Sequence, residues 1–536
     1  MSSSAEVVLG AEAVAWGAID AGIAGAFSYA GTPATEILET VHLTAPHLWS
    51  HWSANEKCAY EEALGMSYMG KRALISMKHV GLNVAADPFM SSALTGVNGG
   101  MVLAVADDPG MHSSQNEQDS RFYAGFAKIP CFEPSSQQEC YDMTREAFSL
   151  SEKVGLPVML RLVTRLAHSR ANVFRRPDDE TGRQDHEFPL PDPNDWTLVP
   201  ANARRKFKLL LGLQRTLQIA SEESRFNSLT LAGRRGIVCS GTGLNYVHEV
   251  LGPKLDDSLL KIGQYPIPAA LMRQLFDHCD EIVFIEEGYP MIEEHARGLF
   301  GVPGKAIHGK LDGTLSIDGE LLPGSVARAL GVDLDHPTPA DSIVVPRPPQ
   351  FCKGCPHSAS FSAIIDSVAE YPAARLFSDI GCYSLGIMPP YRAVHSVVDM
   401  GASIGMAHGA SRAGAWPVIC TIGDSTFAHS GMSGLLGAAH TDANITVVIL
   451  DNATTAMTGA QDSMATGEDL VEIVRALGVK DIHVFEPLPK HHAENVALLK
   501  AAVAHKGLSV VIARRACVRI KLNNSNLTPI PTAHQE

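Results

Sequence analysis

Two apolar runs, VICTI at 418–422 and ITVVIL at 445–450, flank a polar turn and a small-residue segment. Each run has the length and β-branched content of a buried strand. The segment between them, 431–439, is rich in glycine and alanine and predicts a helix. Each run ends in polar residues: Gly423-Asp424-Ser425 after the first, Asp451-Asn452 after the second. Strand, helix and strand of this length predict a parallel pair, and a parallel sheet puts both polar turns at its carboxyl edge, where ligands bind. Asp424, the Asn452 side chain and the Thr454 carbonyl would then converge. All three are hard oxygen donors, suited to a Mg²⁺ ion carrying phosphates. Gly423 lets the backbone approach a diphosphate closely. The competing reading is an ordinary βαβ unit, because Gly-Asp and Asp-Asn are common in loops.

The same residues resemble the GDG-to-NN signature of thiamine diphosphate enzymes, with Ser425 in the third place and Asp-Asn for the final pair. The wording LDNATTAMTGAQ is similar to the thiamine-binding part of the large subunits of indolepyruvate:ferredoxin oxidoreductases, a branch of the 2-oxoacid:ferredoxin oxidoreductases. That resemblance implies an α/β protein of several doubly wound domains. Two would have the thiamin diphosphate-binding fold and one would be transketolase C-terminal-like. It adds Gly31 and Gly401 to the cofactor-binding positions Gly423, Asp424, Ser425, Asn452 and Thr454.

A length of 536 residues suggests three or four domains. The hydrophobic share of 45% and charged share of 19% fit a well-buried globular chain. A net charge of −15 argues against nucleic acid or an anionic membrane as main partner. No apolar run reaches the ~18 residues of a membrane span. The start, MSSSAEVVLG, lacks a basic region followed by an apolar core, so a cytoplasmic location is expected.

Residues 1–165 alternate helical and strand patterns and predict a doubly wound domain, the pyrimidine-binding one by the resemblance. Helices are expected at 7–21, 35–42 and 56–70, and strands at 27–29, 73–77 and 101–106. Within it, NEKCAYEEALG carries Glu56. Near a helix start such a glutamate is ordinarily a capping or dipole residue. The resemblance makes it the carboxylate that thiamine chemistry needs against the aminopyrimidine ring. The turn after Tyr29 brings Gly31 and Thr32, and the resemblance puts Thr32 near the thiazolium and the substrate carboxylate. Two stretches, 77–88 and 107–121, read as polar loops after strands. They hold Lys78, His79, His112, Gln115 and Arg121, cations and donors able to bind a 2-oxoacid carboxylate. Plain surface loops are the alternative. Of these, His79, His112 and Arg121 join Glu56 and Thr32 as candidate active-site residues.

Residues 166–232 change character and read as a linker, first charged and proline-rich, then basic and helical. The cluster ARRKFK reads as a solvated helix face sooner than as a nucleic-acid contact. Residues 233–345 predict a second α/β domain, by resemblance the transketolase C-terminal-like one. Its SGTG turn at 240–243 is not followed by the lysine of a P-loop, and Glu286, Glu287 and Glu293 are expected to be structural. A short linker, 339–350, leads into the diphosphate-binding domain, 346–536.

Cys352 and Cys355 form CKGCPH. A CxxC pair can be a redox disulfide, a zinc half-site or an iron–sulfur half-site. A second close-spaced pair, which zinc would want, does not occur, and the pair follows a proline-rich linker instead of a strand as a thioredoxin-like motif would. Cys382 and Cys517 each follow an apolar run, so three sheet-edge positions can bring four thiolates together. By resemblance these four hold the proximal 4Fe–4S cluster. Cys58, Cys131, Cys140, Cys239, Cys279 and Cys420 read as small buried hydrophobes. The family usually continues into a ferredoxin-like module with further cysteine runs, whereas no cysteine follows Cys517 here.

The resemblance thus implies thiamine diphosphate, Mg²⁺ and a 4Fe–4S cluster, with coenzyme A as cosubstrate. It implies oxidative decarboxylation of an arylpyruvate, a smaller beta subunit as partner, dimerised large subunits in a heterotetramer, and a separate ferredoxin or another subunit as electron acceptor. The rivals are a non-oxidative thiamine decarboxylase or acyl transferase, which needs no cluster, and a non-catalytic scaffold, which needs neither Glu56 nor Asp424.

Overall fold

The strands Ala73–Lys78, Met101–Asp107 and Val158–Val163 are buried along their whole length. This is the signature of a parallel sheet covered on both faces. They belong to a computed structural model that describes residues 5–176, 194–333, 345 and 348–523. The chain folds into two units, Met1–Pro339 and Ala340–Glu536.

The first unit holds two large sheets. One has seven strands in the order Gln264–Tyr265, Cys131–Phe132, Val158–Val163, Met101–Asp107, Ala73–Lys78, Gly25–Ser28, Trp49–Trp52. All neighbours are parallel except Gln264–Tyr265, which runs antiparallel to Cys131–Phe132. The other has five strands, Ala306–His308, Glu281–Ile285, Arg235–Ser240, Ser258–Ile262 and Ser228–Thr230, with only the last antiparallel. The second unit has one five-stranded parallel sheet, Arg375–Ser378, Val418–Gly423, Thr446–Asp451, Ser509–Arg514 and Asp481–Phe485. The fold is α/β with doubly wound parallel sheets, as expected.

Several local expectations change. The helix expected at 7–21 begins later: Ala5–Leu9 is a strand, paired antiparallel with Arg170–Phe174, and the helix is Gly10–Asp20. Tertiary pairing overrides the helical period there, and the Leu9 amide, donating to Glu12 Oε2 at 2.7 Å, marks the true helix start. The stretch 77–88, read as a loop, is strand end followed by helices His79–Val84 and Ala86–Thr95. The turn at 423–425 is likewise helical. Asp424–Thr426 runs into a π-turn, Phe427–Gly431, and then the helix Met432–His440.

Within 166–232, Pro200–Glu222 is one helix of 23 residues. It packs by Leu210 and Leu217 and, through polar side chains, reaches the helix Ala86–Thr95 and the edge strand Gln264–Tyr265 of the seven-stranded sheet. Lys206 Nζ donates to the Thr95 carbonyl at 3.1 Å and Ser221 Oγ to the Gln264 carbonyl at 3.0 Å. The charged, proline-rich segment 177–193, most of the linker 339–350, and the tail beyond 523 lie outside the described residues. Among the described residues, no helix is long and apolar enough to cross a membrane.

Candidate active site

In the second unit, Gly423 closes the strand Val418–Gly423 and Asp424 opens the helical segment at its carboxyl end. A Cβ at Gly423 would sit 2.7 Å from the Tyr383 ring, so only glycine fits. Asp424 is buried, and its Oδ2 has no hydrogen-bond partner. Burial, and then the charge of Asp451, push its carboxyl up to about 7. A buried carboxylate oxygen left unpaired is costly unless a cation meets it. This orphaned oxygen is what a Mg²⁺ site would require.

Asp451 is already engaged, accepting from Gly467 N at 2.9 Å and Arg514 Nε at 3.1 Å. Asn452 Oδ1 accepts from Thr454 N at 3.1 Å, its Nδ2 lies 3.5 Å from His357 Nε2, and its carbonyl accepts from Cys517 N at 3.0 Å. Ala453, between Asn452 and Thr454, has a left-handed φ of 63° that turns the chain there. Ser425 Oγ is 2.8 Å from Thr455 Oγ1. The donor set of one carboxylate, one amide and one backbone carbonyl therefore lies on two adjacent strand ends.

Gly401, at φ 95°, begins the turn into the helix Ala402–Arg412 and packs on Ser430. Its amide donates to Asp379 Oδ1 at 2.7 Å, and Ser403 N donates to Oδ2 at 3.0 Å. Asp379 thus fixes this helix start. Sequence reasoning passed over Asp379 and His357; their signal was placement directly after an apolar strand and inside CKGCPH.

The four cysteines sit on neighbouring segments of this unit. Cys355 N donates to the Cys352 carbonyl at 3.0 Å, closing the CxxC turn before the helix Pro356–Ser367. Cys382 opens the 3₁₀ turn Cys382–Ile387, and Cys517 precedes the helix Val518–Asn523. Burial raises the Cys382 thiol to about 11, with the charges of Cys355, Cys517 and Cys352 adding to the effect, so each of the other three lies within electrostatic reach of Cys382. Among the described residues, no three His, Cys, Asp or Glu side chains are gathered as a single ion would need. Of the remaining six cysteines, all but the half-buried Cys58 are buried.

In the first unit, Glu56 begins the helix Glu56–Tyr68, where Asn55 caps by accepting from Cys58 N. Glu56 is only 5% exposed and packs on Gly81, where a Cβ would lie 2.5 Å from its Oε1. Thr32 is half-buried, and Gly31 lies against the Lys78 stem. His79 is buried, with Nε2 3.2 Å from the Asn116 carbonyl and Nδ1 unpartnered; burial lowers its pKa, so the ring is neutral. His112 is 51% exposed, 3.5 Å from Glu320.

Arg121 departs from expectation. It is fully buried and paired with Asp119, Glu133 and Glu286, and it donates to the carbonyls of Glu287 and Tyr289. Its donors are spent within the protein, joining the two sheets of the first unit, and none is left for a substrate carboxylate. Arg161 stands beside it on Asp107 and Glu133. The expected structural glutamates have partners: Glu286 accepts from Ile292 N and Glu293 N, Glu287 from Leu321 N, and Glu293 from Lys310 N.

Residues 16–195 match the family model "Pyruvate flavodoxin/ferredoxin oxidoreductase, thiamine diP-bdg", and residues 379–513 match "Thiamine pyrophosphate enzyme, C-terminal TPP binding domain". The indolepyruvate oxidoreductase subunit IorA of Archaeoglobus fulgidus is 40% identical, over 95% of this chain and 86% of the relative. The chain belongs to the IorA family of indolepyruvate oxidoreductase subunits. Its relatives of the same name in Methanothermobacter thermautotrophicus and Thermococcus kodakarensis are 39% and 37% identical, over 95% and 96% of this chain and 86% of each relative. A solved 2-oxoglutarate:ferredoxin oxidoreductase from Magnetococcus marinus shares the fold, at a TM-score of 0.50 and 17% identity, over 61% of this chain and 65% of its own. The chain is a subunit of a thiamine diphosphate-dependent 2-oxoacid oxidoreductase.

Proposed function

We propose that this chain is the large, cofactor-bearing subunit of an enzyme that oxidatively decarboxylates an arylpyruvate, of the indolepyruvate kind, to an acyl-coenzyme A. The unpaired Asp424 oxygen beside Asn452, bonded in turn to Cys517, carries this reading. Asp424, the Asn452 amide and the Thr454 carbonyl would hold Mg²⁺, with Gly401, Gly423 and Ser425 against the diphosphate. Cys352, Cys355, Cys382 and Cys517 would hold a 4Fe–4S cluster and so provide for one-electron transfer. Thiamine diphosphate supplies the nucleophilic carbon and the electron sink that the decarboxylation needs.

The chain's own residues supply the rest. Glu56 would exchange a proton with the aminopyrimidine nitrogen. Thr32 and the neutral His79 would orient the reacting carboxylate and keto oxygen, and His112 would border the entrance. The relatives' name, a subunit, supports a smaller beta partner, and a heterotetramer with dimerised large subunits follows from the same reading, with a ferredoxin or partner chain as acceptor.

Anaerobic co-expression with the partner subunit, followed by iron, thiamine and 2-oxoacid-panel measurements, tests this. A brown protein absorbing near 400 nm, reducing a viologen dye with arylpyruvate and coenzyme A, is the expected result. A colourless, iron-free protein that still decarboxylates would favour the non-oxidative reading. Failure to bind thiamine diphosphate with Mg²⁺ would overturn both.

A further inference from the structure

Lys78 is a buried ammonium with no carboxylate beside it. It ends the strand Ala73–Lys78, is 7% exposed, and forms no ion pair with any described residue. Its hydrogen-bond partners are both on Ser113: the carbonyl at 2.8 Å and Oγ at 3.2 Å. Asp108, the nearest carboxylate by its electrostatic effect, is already saturated. Its Oδ2 accepts from Ser113 N and Ser114 Oγ, and its Oδ1 from Thr164 Oγ1. An isolated buried cation is expensive, and proteins keep one where an anion arrives to meet it.

The surroundings indicate which anion. The Lys78 stem lies against Gly31, next to Thr32, with 3.2 Å from its Cβ to a Cβ built at Gly31. His79 follows it directly, and Glu56 packs on Gly81 three residues beyond. Ser113 is exposed, so the ammonium lies just under the surface where a small molecule can enter. Arg121, the alternative cation, is consumed in its own ion pairs, and His112 faces Glu320.

We propose that Lys78 is the residue that binds the carboxylate of the 2-oxoacid substrate, a specificity-determining role that rests on the functional reading above. Its charge state in the free protein fits this. Burial lowers its pKa to about 8, opposed by Asp108. The other charged or titratable groups facing it are His79, whose ring its charge disfavours protonating, and beyond that ring Asp107, with Glu56 across Gly81. The ammonium is present at neutral pH and lost above about pH 8, so carboxylate binding fades as pH rises.

Two measurements on the holoenzyme test the assignment. Acetic anhydride labelling of Lys78, read by peptide mass spectrometry, is expected to be suppressed by arylpyruvate and by its unreactive 2-hydroxy analogue, and not by coenzyme A. In steady state, Lys78→Met is expected to raise KM for the arylpyruvate at least about 30-fold, with thiamine diphosphate affinity unchanged. Lys78→Arg is expected to keep binding and to move the alkaline limb of kcat/KM up from about 8. Protection by coenzyme A instead, or an unshifted limb in Lys78→Arg, overturns the assignment. If no 2-oxoacid is turned over by the wild type, the functional reading falls. The labelling, which needs no turnover, still reports whether a carboxylate reaches Lys78.

Discussion

The backbone amide of Cys517 donates to the carbonyl oxygen of Asn452 at 3.0 Å. One peptide contact thus joins a proposed cluster thiolate to a proposed Mg²⁺ ligand, and the bond survives any side-chain change at 517 that keeps the backbone N–H. Cys517→Ser should therefore lower iron content and absorbance near 400 nm, while Mg²⁺-dependent thiamine diphosphate binding stays within about threefold of wild type. A backbone hydrogen bond is worth only about 1 kcal/mol, so Cys517→Pro, which deletes it, should weaken cofactor binding further, by up to about tenfold. Isothermal titration beside iron analysis separates the two effects.

Asp424 makes the metal-free protein sensitive to pH. Its folded carboxyl titrates near 7, well above its unfolded value. Below about pH 4 both states are protonated and the group is neutral to stability. As pH rises toward 7 the unfolded chain ionises while the folded one resists, so stability falls and then levels off. Asp424→Asn should flatten that decline and raise the Tm of the metal-free protein at pH 7.5, while abolishing Mg²⁺-dependent binding. Thermal scans with and without Mg²⁺ check it; a variant less stable than wild type without metal would contradict it.

Glu56 and Gly81 are in such close contact that the glycine acts as a spacer. A methyl group there would fall 2.5 Å from Glu56 Oε1 and push the carboxylate aside. Glu56→Gln should cut kcat by about 10²–10⁴, the usual worth of a positioned acid–base group. Gly81→Ala should cut kcat in the same direction without altering the fold, as judged by circular dichroism. Unchanged turnover in Gly81→Ala would show that Glu56 is not needed at its present position.

Arg121 should behave as a structural cation. Removing it leaves Asp119, Glu133 and Glu286 buried without their partner. Arg121→Met should destabilise the first unit by about 3–5 kcal/mol, visible as a lower denaturation midpoint. Where enough folded enzyme survives, KM for the 2-oxoacid should stay near wild type. A large KM effect in a fully stable variant would return Arg121 to the substrate site.

The apolar runs were readable because parallel strands covered on both faces need unbroken burial: 418–422, 73–77 and 101–106 lie within strands, and the run 445–450 does so from Thr446 on. The stretch 77–88 was misread because its polar residues suggested a loop, whereas His79 opens a helix at the strand end. Arg121 was misassigned for a related reason. A cation in a polar stretch looks free until its partners from 286 to 289, far away in the chain, are folded against it. Lys78 could be named as a donor, but only the fold reveals that it has no counter-ion. Asp379 showed only its place after an apolar strand; its role in capping the helix that begins at Ala402 is a long-range relationship that the sequence does not display.

The strand Gln264–Tyr265 follows Ser258–Ile262 of the five-stranded sheet by a single glycine, yet it pairs with Cys131–Phe132 at the edge of the seven-stranded one. The seven-stranded sheet thus takes its edge strand from the chain of its neighbour. A fragment cut between residues 174 and 228 would carry away the guard on a β-edge and leave it open to self-association. The two halves of that unit should accordingly melt together in calorimetry, and expressing either alone invites aggregation.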